Sequence, residues 1–115
     1  MTIDEEIVEW HKKTFPLCTF GSQLEKLDEE IKELCEAIRN GAKNHAAKES
    51  ADVYIVSLVL LKRFNSHIGS YFLGLFDEYP VPHLEDEVRK KMEINKKRVW
   101  IFKDGVYRHE ERGKE

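Results

Sequence analysis

Apolar positions recur along most of this chain at helical spacing, and the period changes only near the C-terminus. Ile3, Ile7 and Trp10 share one face of a first helix. Thr2 with Glu5 three residues on forms a capping box at its start, and Pro16 ends it. A second helix is predicted from Ser22, with Glu25 completing another capping box. Leu24, Leu27, Ile31, Leu34 and Ile38 then form one buried stripe, and Asn40-Gly41 is the stop. A third helix is predicted from near Asn44 to about Ser66. From Ala51 to Leu61 it has almost no polar face, which marks a buried helix and hints at self-association. Residues 70–82 are aromatic and read as irregular, ending in Pro80 and Pro82. A fourth helix follows from His83 to about Lys97, with Leu84, Val88 and Met92 on one side. The period then shortens. Residues 98–109 predict two short strands around Asp104-Gly105, and the charged residues beyond them predict a frayed end. The expected fold is therefore all-α, a four-helix core over about residues 2–97 with a short C-terminal β-hairpin.

With 115 residues, the chain is expected to form a single domain. Its net charge of -3 argues against a nucleic-acid polymer or an anionic membrane as partner. The apolar run Val53–Leu61 is far short of the roughly 20 residues of a membrane span. The acidic stretch Met1–Glu9 does not resemble a signal peptide, and Cys18 and Cys35 form no CxxC pair, so a reducing cytoplasm is expected.

The candidate chemistry lies in four acids. Glu30 and Glu33 form ExxE on the second helix, and Glu49 and Asp52 form ExxD on the third. Residues three apart project to the same side of a helix. If the two helices pack antiparallel, both pairs face one small volume. Like charges at 4 Å repel by about 4 kcal/mol at an effective dielectric of 20, so such a cluster calls for a cation. On the helical wheel Glu30 lies roughly 70° from the apolar stripe, Glu33 roughly 130° and Glu29 roughly 170°. Glu30 is the inward ligand, Glu33 a flank position, and Glu29 faces water.

Chance has to be weighed, because 16 Glu and 6 Asp generate ExxE patterns freely, as at Glu6/Glu9 and Glu33/Glu36. The ExxD carries more weight, since Glu49 and Asp52 enter the most apolar helix, where an unpaired charge is costly. Di-iron bundles use Glu-x-x-His, which these helices lack. Oxygen-only ligands favour Mg²⁺, with Mn²⁺ as a substitute, over iron or zinc. No P-loop, GxGxxG or triad-like arrangement is present.

The segments Leu27-Asp-Glu-Glu-Ile-Lys-Glu-Leu34, Glu36-Ala-Ile38 and Glu49-Ser-Ala-Asp-Val53 resemble the MazG-like all-α nucleoside triphosphate pyrophosphohydrolases, whose signature is ExxE, a spacer, then ExxD. The spacer here has 15 residues. Lys91-Met-Glu-Ile-Asn95-Lys-Lys-Arg98 is similar to the K-x-x-x-N-x-x-R segment of that family, and the likeness covers roughly residues 20–100. The resemblance implies a homodimer or dimer of dimers, with two or more Mg²⁺ per site. It implies attack of water between the α- and β-phosphates of a (deoxy)nucleoside triphosphate, giving monophosphate and pyrophosphate in nucleotide-pool house-cleaning. Glu30, Glu33, Glu49 and Asp52 would hold Mg²⁺ and serve catalysis. Lys91, Asn95 and Arg98 would contact phosphates, against the plainer reading of a solvated basic helix end. Trp10, with Phe15 or Phe20, is the candidate for stacking on the base, against a plain core role for Trp10. His11 is placed on a different helical face, and the other histidines read as surface or structural. Trp100 and Tyr107 either seal the site, extend a dimer or cover the core. The competing readings are the same fold acting on phosphoribosyl-ATP or dUTP, and a non-catalytic helical module with a solvated acidic face.

Overall fold

The computed structural model describes residues 1–110. The expected frayed end, residues 111–115, lies outside them. Five helices and one hairpin follow in order: α1 (Ile3–Thr14), α2 (Phe20–Arg39), α3 (Lys43–Lys62), α4 (His67–Glu78), α5 (Leu84–Lys97), β1 (Trp100–Lys103) and β2 (Val106–His109).

α3 is the axis of the molecule. α1, α2, α4 and α5 all pack on it. One side of α3 buries Ala51, Ile55, Leu58 and Val59 against Ile7 of α1 and Val88 and Met92 of α5. The other side buries Val53, Val56 and Leu60 against Leu27 of α2, with Phe72 and Phe76 of α4 closing over them. This explains the nearly all-round apolar character of α3. The chain itself covers most of the apolar stretch from Ala51 to Leu60.

The local signals worked where they were short-range. α1 has the expected Thr2–Glu5 capping box, and α2 and α3 are joined by a turn through Gly41 at φ +68°. In the hairpin Asp104 and Gly105 both have positive φ (+53° and +80°), as a two-residue turn between twisted strands requires, and Lys103 pairs with Val106 across it.

Four expectations are corrected. α2 begins three residues early, because Thr19 and not Ser22 is the cap; Ser22 instead closes the box on Thr19. Ile38 is 61% exposed, since it lies in the last turn of α2 beside an exposed connection that nothing covers. α3 stops at Lys62, because Asn65 turns left-handed (φ +54°) and Ser66 caps the next helix. Residues 67–78 form a fifth helix where irregular chain was expected. Gly69 is what allows α4 to touch α3.

That contact gives a prediction. A Cβ at Gly69 would stand 2.2 Å from the Ser57 carbonyl oxygen and 2.7 Å from the Leu61 nitrogen, both backbone atoms that cannot swing aside. Gly69→Ala is expected to destabilise by about 1–3 kcal/mol or more. Gly74→Ala meets nothing within 4 Å and gains helix propensity, so it is the neutral or stabilising control. Urea midpoints of the two variants check this; equal midpoints would show that α4 does not hold its place on α3.

Candidate active site

The α2–α3 pair is antiparallel, and it brings ExxE and ExxD together. Glu30, Glu33, Glu49 and Asp52 each offer a carboxylate oxygen, and all four oxygens lie within 4.8 Å of one another. Glu30 is 5% exposed and Glu33 exposed, in the order the helical wheel predicts for these two, while Glu49 and Asp52 are half-buried. The solvated-face reading does not fit a cluster whose centre is buried.

Side-chain cations offset only part of this charge. Lys26 Nζ lies 3.3 Å from Glu30 Oε1, and Lys91 Nζ lies 3.3 Å from Asp52 Oδ2. His45 Nε2 stands 3.0 Å from Glu49 Oε1. The electrostatic strain shows in the acidities. Burial, then the charge of Asp52, pushes Glu30 up to about 7 against the pull of Lys26. Burial, then Glu33, raises Glu49. Burial raises Asp52 despite Lys91. The hydrogen bond between Glu30 and Asp52 raises Glu30 and pulls Asp52 down.

Whether these residues suit a metal is decided by one atom. Glu49 Oε2 is buried and has no hydrogen-bond partner among the described residues. A buried carboxylate oxygen is costly to leave unsatisfied. A hard cation bound by oxygens would satisfy it and relieve the repulsion of its neighbours. The donor set fits.

α5 closes the other side. Lys91 and Asn95 are one turn apart on it and line the same cavity as the acids, as does Arg98 just beyond. Asn95 is 8% exposed, and its Oδ1 accepts from Arg98 Nη1 at 3.2 Å. Trp10 and Phe15 also line the cavity, which has a volume of about 350 Å³, within the range of small-molecule sites. Phe20 stands outside it, packed on Phe64.

Several lining residues were not legible in the sequence. His11 lies in the same wall as Trp10. It is 6% exposed, and its Nδ1 accepts from Arg63 Nη1 at 2.8 Å. The same Arg63 nitrogen donates to the Phe15 carbonyl at 2.9 Å, which caps the end of α1. Burial, then the Arg63 charge, pushes His11 down to about 3, so it stays a neutral acceptor and is no general acid at neutral pH. Glu29, expected to face water, sits at the cavity rim and pairs with Arg108 of β2 at 3.6 Å. The i,i+4 spacing of Lys26 and Glu30 was a readable signal. Nothing in the sequence announced Arg108.

Among known families, the model for phosphoribosyl-ATP pyrophosphohydrolase matches residues 1–68. The chain belongs to that family. The family lies within the MazG-like all-α pyrophosphohydrolases, in agreement with the resemblance read from the ExxE and ExxD segments. The matched region spans α1 to α3 and carries all four acids. Lys91, Asn95 and Arg98 lie beyond it, and so does the hairpin. No curated protein and no solved structure matches the chain. This member of the family is accordingly a pyrophosphohydrolase for nucleotide-like substrates, an acid-anhydride hydrolase of a metal-dependent kind. No helix among its described residues is long and apolar enough to cross a membrane.

Proposed function

We propose that this pyrophosphohydrolase cleaves (deoxy)nucleoside triphosphates between the α- and β-phosphates, giving monophosphate and pyrophosphate, with Mg²⁺ held by Glu30, Glu33, Glu49 and Asp52. The observation that carries this reading is the convergence of four acids, one with an orphaned buried oxygen, on the floor of a cavity that cations also line.

Bound there, Mg²⁺ would supply charge neutralisation for the polyphosphate and a more acidic water. The side chains do the rest. Water attacks the α-phosphorus, the bond to the α–β bridging oxygen breaks, and pyrophosphate leaves; the water proton passes to a carboxylate of the cluster. Lys91 and Arg98 donate to phosphate oxygens, and the Asn95 amide holds Arg98 in place. Trp10, with Phe15 behind it, offers a face to the base. No covalent nucleophile is needed. The role is nucleotide-pool house-cleaning, in the cytoplasm, with Mn²⁺ able to replace Mg²⁺.

A second reading keeps the same machinery and bond but takes phosphoribosyl-ATP as substrate; the family match over residues 1–68 favours it. Self-association into a dimer or dimer of dimers is proposed through exposed apolar side chains such as Ile68 and Tyr71 on α4. We take the whole chain as one functional unit, because α5 and the hairpin complete the cavity.

The deciding experiment measures products from eight NTPs and dNTPs and from phosphoribosyl-ATP, with Mg²⁺ or EDTA. Mg²⁺-dependent monophosphate and pyrophosphate from the triphosphates is the expected result. Turnover of phosphoribosyl-ATP alone would select the second reading. Nucleoside diphosphate and inorganic phosphate as products would overturn the cleavage position in both.

A further inference from the structure

The cavity has two unlike ends. One holds the acids with Lys26 and Lys91. The other is walled by aromatic rings, among them Trp100 and Tyr107 from the C-terminal hairpin, with the Arg108–Glu29 pair at its rim. Phe15 has little face left for a ligand there. It is 6% exposed, and the rings of Trp10, His11, Trp100 and Tyr107 stand 4.8–5.1 Å from its own. Trp10 and Trp100 are only half-buried, with ring centres 6.3 Å apart at 65°.

Three ties hold the hairpin wall in place. The Trp100 indole N–H donates to the Asn95 carbonyl at 3.0 Å. Tyr107 Oη accepts from the Leu17 amide at 3.1 Å. Arg108 reaches Glu29. The first tie fixes the plane of the indole before any ligand arrives. It also joins the aromatic end to Asn95, whose side chain steadies Arg98 at the phosphate end.

We propose that the C-terminal hairpin is the element of this enzyme that selects for the base, with Trp100 as its stacking residue and Tyr107 as its brace. The proposal rests on the nucleotide reading above. The ligand chemistry decides its orientation. Of the parts of a nucleotide, only the base has π faces to set against indole, and the phosphates must lie at the charged end. Stacking tolerates every base, so the wall confers affinity for base-bearing ligands more than choice among bases.

The chain has two tryptophans, both in this cavity, so intrinsic fluorescence reports directly on it. In EDTA, AMP, GMP, CMP and UMP are expected to quench emission saturably, and ribose 5-phosphate is expected not to. In a Trp10→Phe chain Trp100 is the sole emitter, and the quenching should persist. Trp100→Leu should weaken all four monophosphates by roughly ten-fold, the scale of one aromatic–base stack, and leave calorimetric binding of Mg²⁺-pyrophosphate in place. Equal quenching by ribose 5-phosphate, or unchanged affinities in Trp100→Leu, would overturn the proposal. If Trp100→Leu does not fold, silence of the Trp10→Phe chain toward every monophosphate overturns it instead. Monophosphate quenching without any triphosphate hydrolysis would sink the catalytic reading and leave the hairpin proposal standing; the reverse pair of results would do the opposite.

Discussion

Glu49→Gln is expected to lower kcat by at least about 10²–10³-fold, the scale on which single groups in a charged site act, and to abolish the rise in Tm caused by Mg²⁺. The reasoning starts from Glu49 Oε2, the buried oxygen with no partner among the described residues. Glutamine keeps the shape of the side chain and the oxygen facing His45. It removes the negative charge that a cation would need and puts an amide where Glu33 can accept a hydrogen bond. The variant should therefore fold at least as stably as the parent in EDTA while failing to respond to metal. Melting curves with and without Mg²⁺, beside turnover, separate the two effects. A variant that still hydrolyses nucleotide at the parent rate would remove Glu49 from the machinery. One that melts early in EDTA would make it structural.

The second large effect is a dependence on pH. Glu30 is raised from 4.5 to about 7 in the folded protein. Between those values the native state binds more protons than the unfolded chain, so the contribution of Glu30 to metal-free stability is fully present below 4.5 and declines as pH rises through 7. His11 acts in the opposite sense. Its folded value of about 3 lies below 6.5, so its contribution is present above 6.5 and is lost as pH falls through 3. The parent protein mixes the two slopes. The difference between Glu30→Gln and the parent isolates the first. In EDTA that difference should be small near pH 4.5 and should grow to about 3 kcal/mol in favour of the variant by pH 8, at 1.36 kcal/mol per unit. With saturating Mg²⁺ the order should reverse, since the parent's ionised acids then meet a cation. Urea denaturation at four pH values checks both signs. A difference that stays flat in EDTA would show Glu30 ionised throughout, with the cluster strain borne elsewhere.

Helices and acids were legible because their signals are local. A capping box needs only four residues, the stripe through Leu27 repeats every turn, and spacings of three put Glu30 with Glu33 and Glu49 with Asp52. The graded exposure of Glu30 and Glu33 followed from the wheel alone, and the Asp104-Gly105 turn announced its hairpin. The errors fell where a local rule met a distant partner. The aromatic stretch before Pro80 and Pro82 suggested irregular chain, yet α4 is a helix whose Gly69 fits against the backbone of α3. Ile38 kept the periodicity but has nothing to pack on.

The sequence by itself determined four of the five helices, the pairing of acids and hence the class of chemistry, because periodicity and spacing within one helix fix which side chains share a face. Only the tertiary structure decided that Glu49 Oε2 has no partner among the described residues and that Lys91 lies against Asp52. Only it showed that Glu29 meets Arg108 and that Trp100 and Tyr107 wall the same cavity as the acids. Those relations join residues from Glu29 to Arg108, brought together when α5 and the hairpin fold back over the α2–α3 pair, and no periodicity within one element encodes a contact between two.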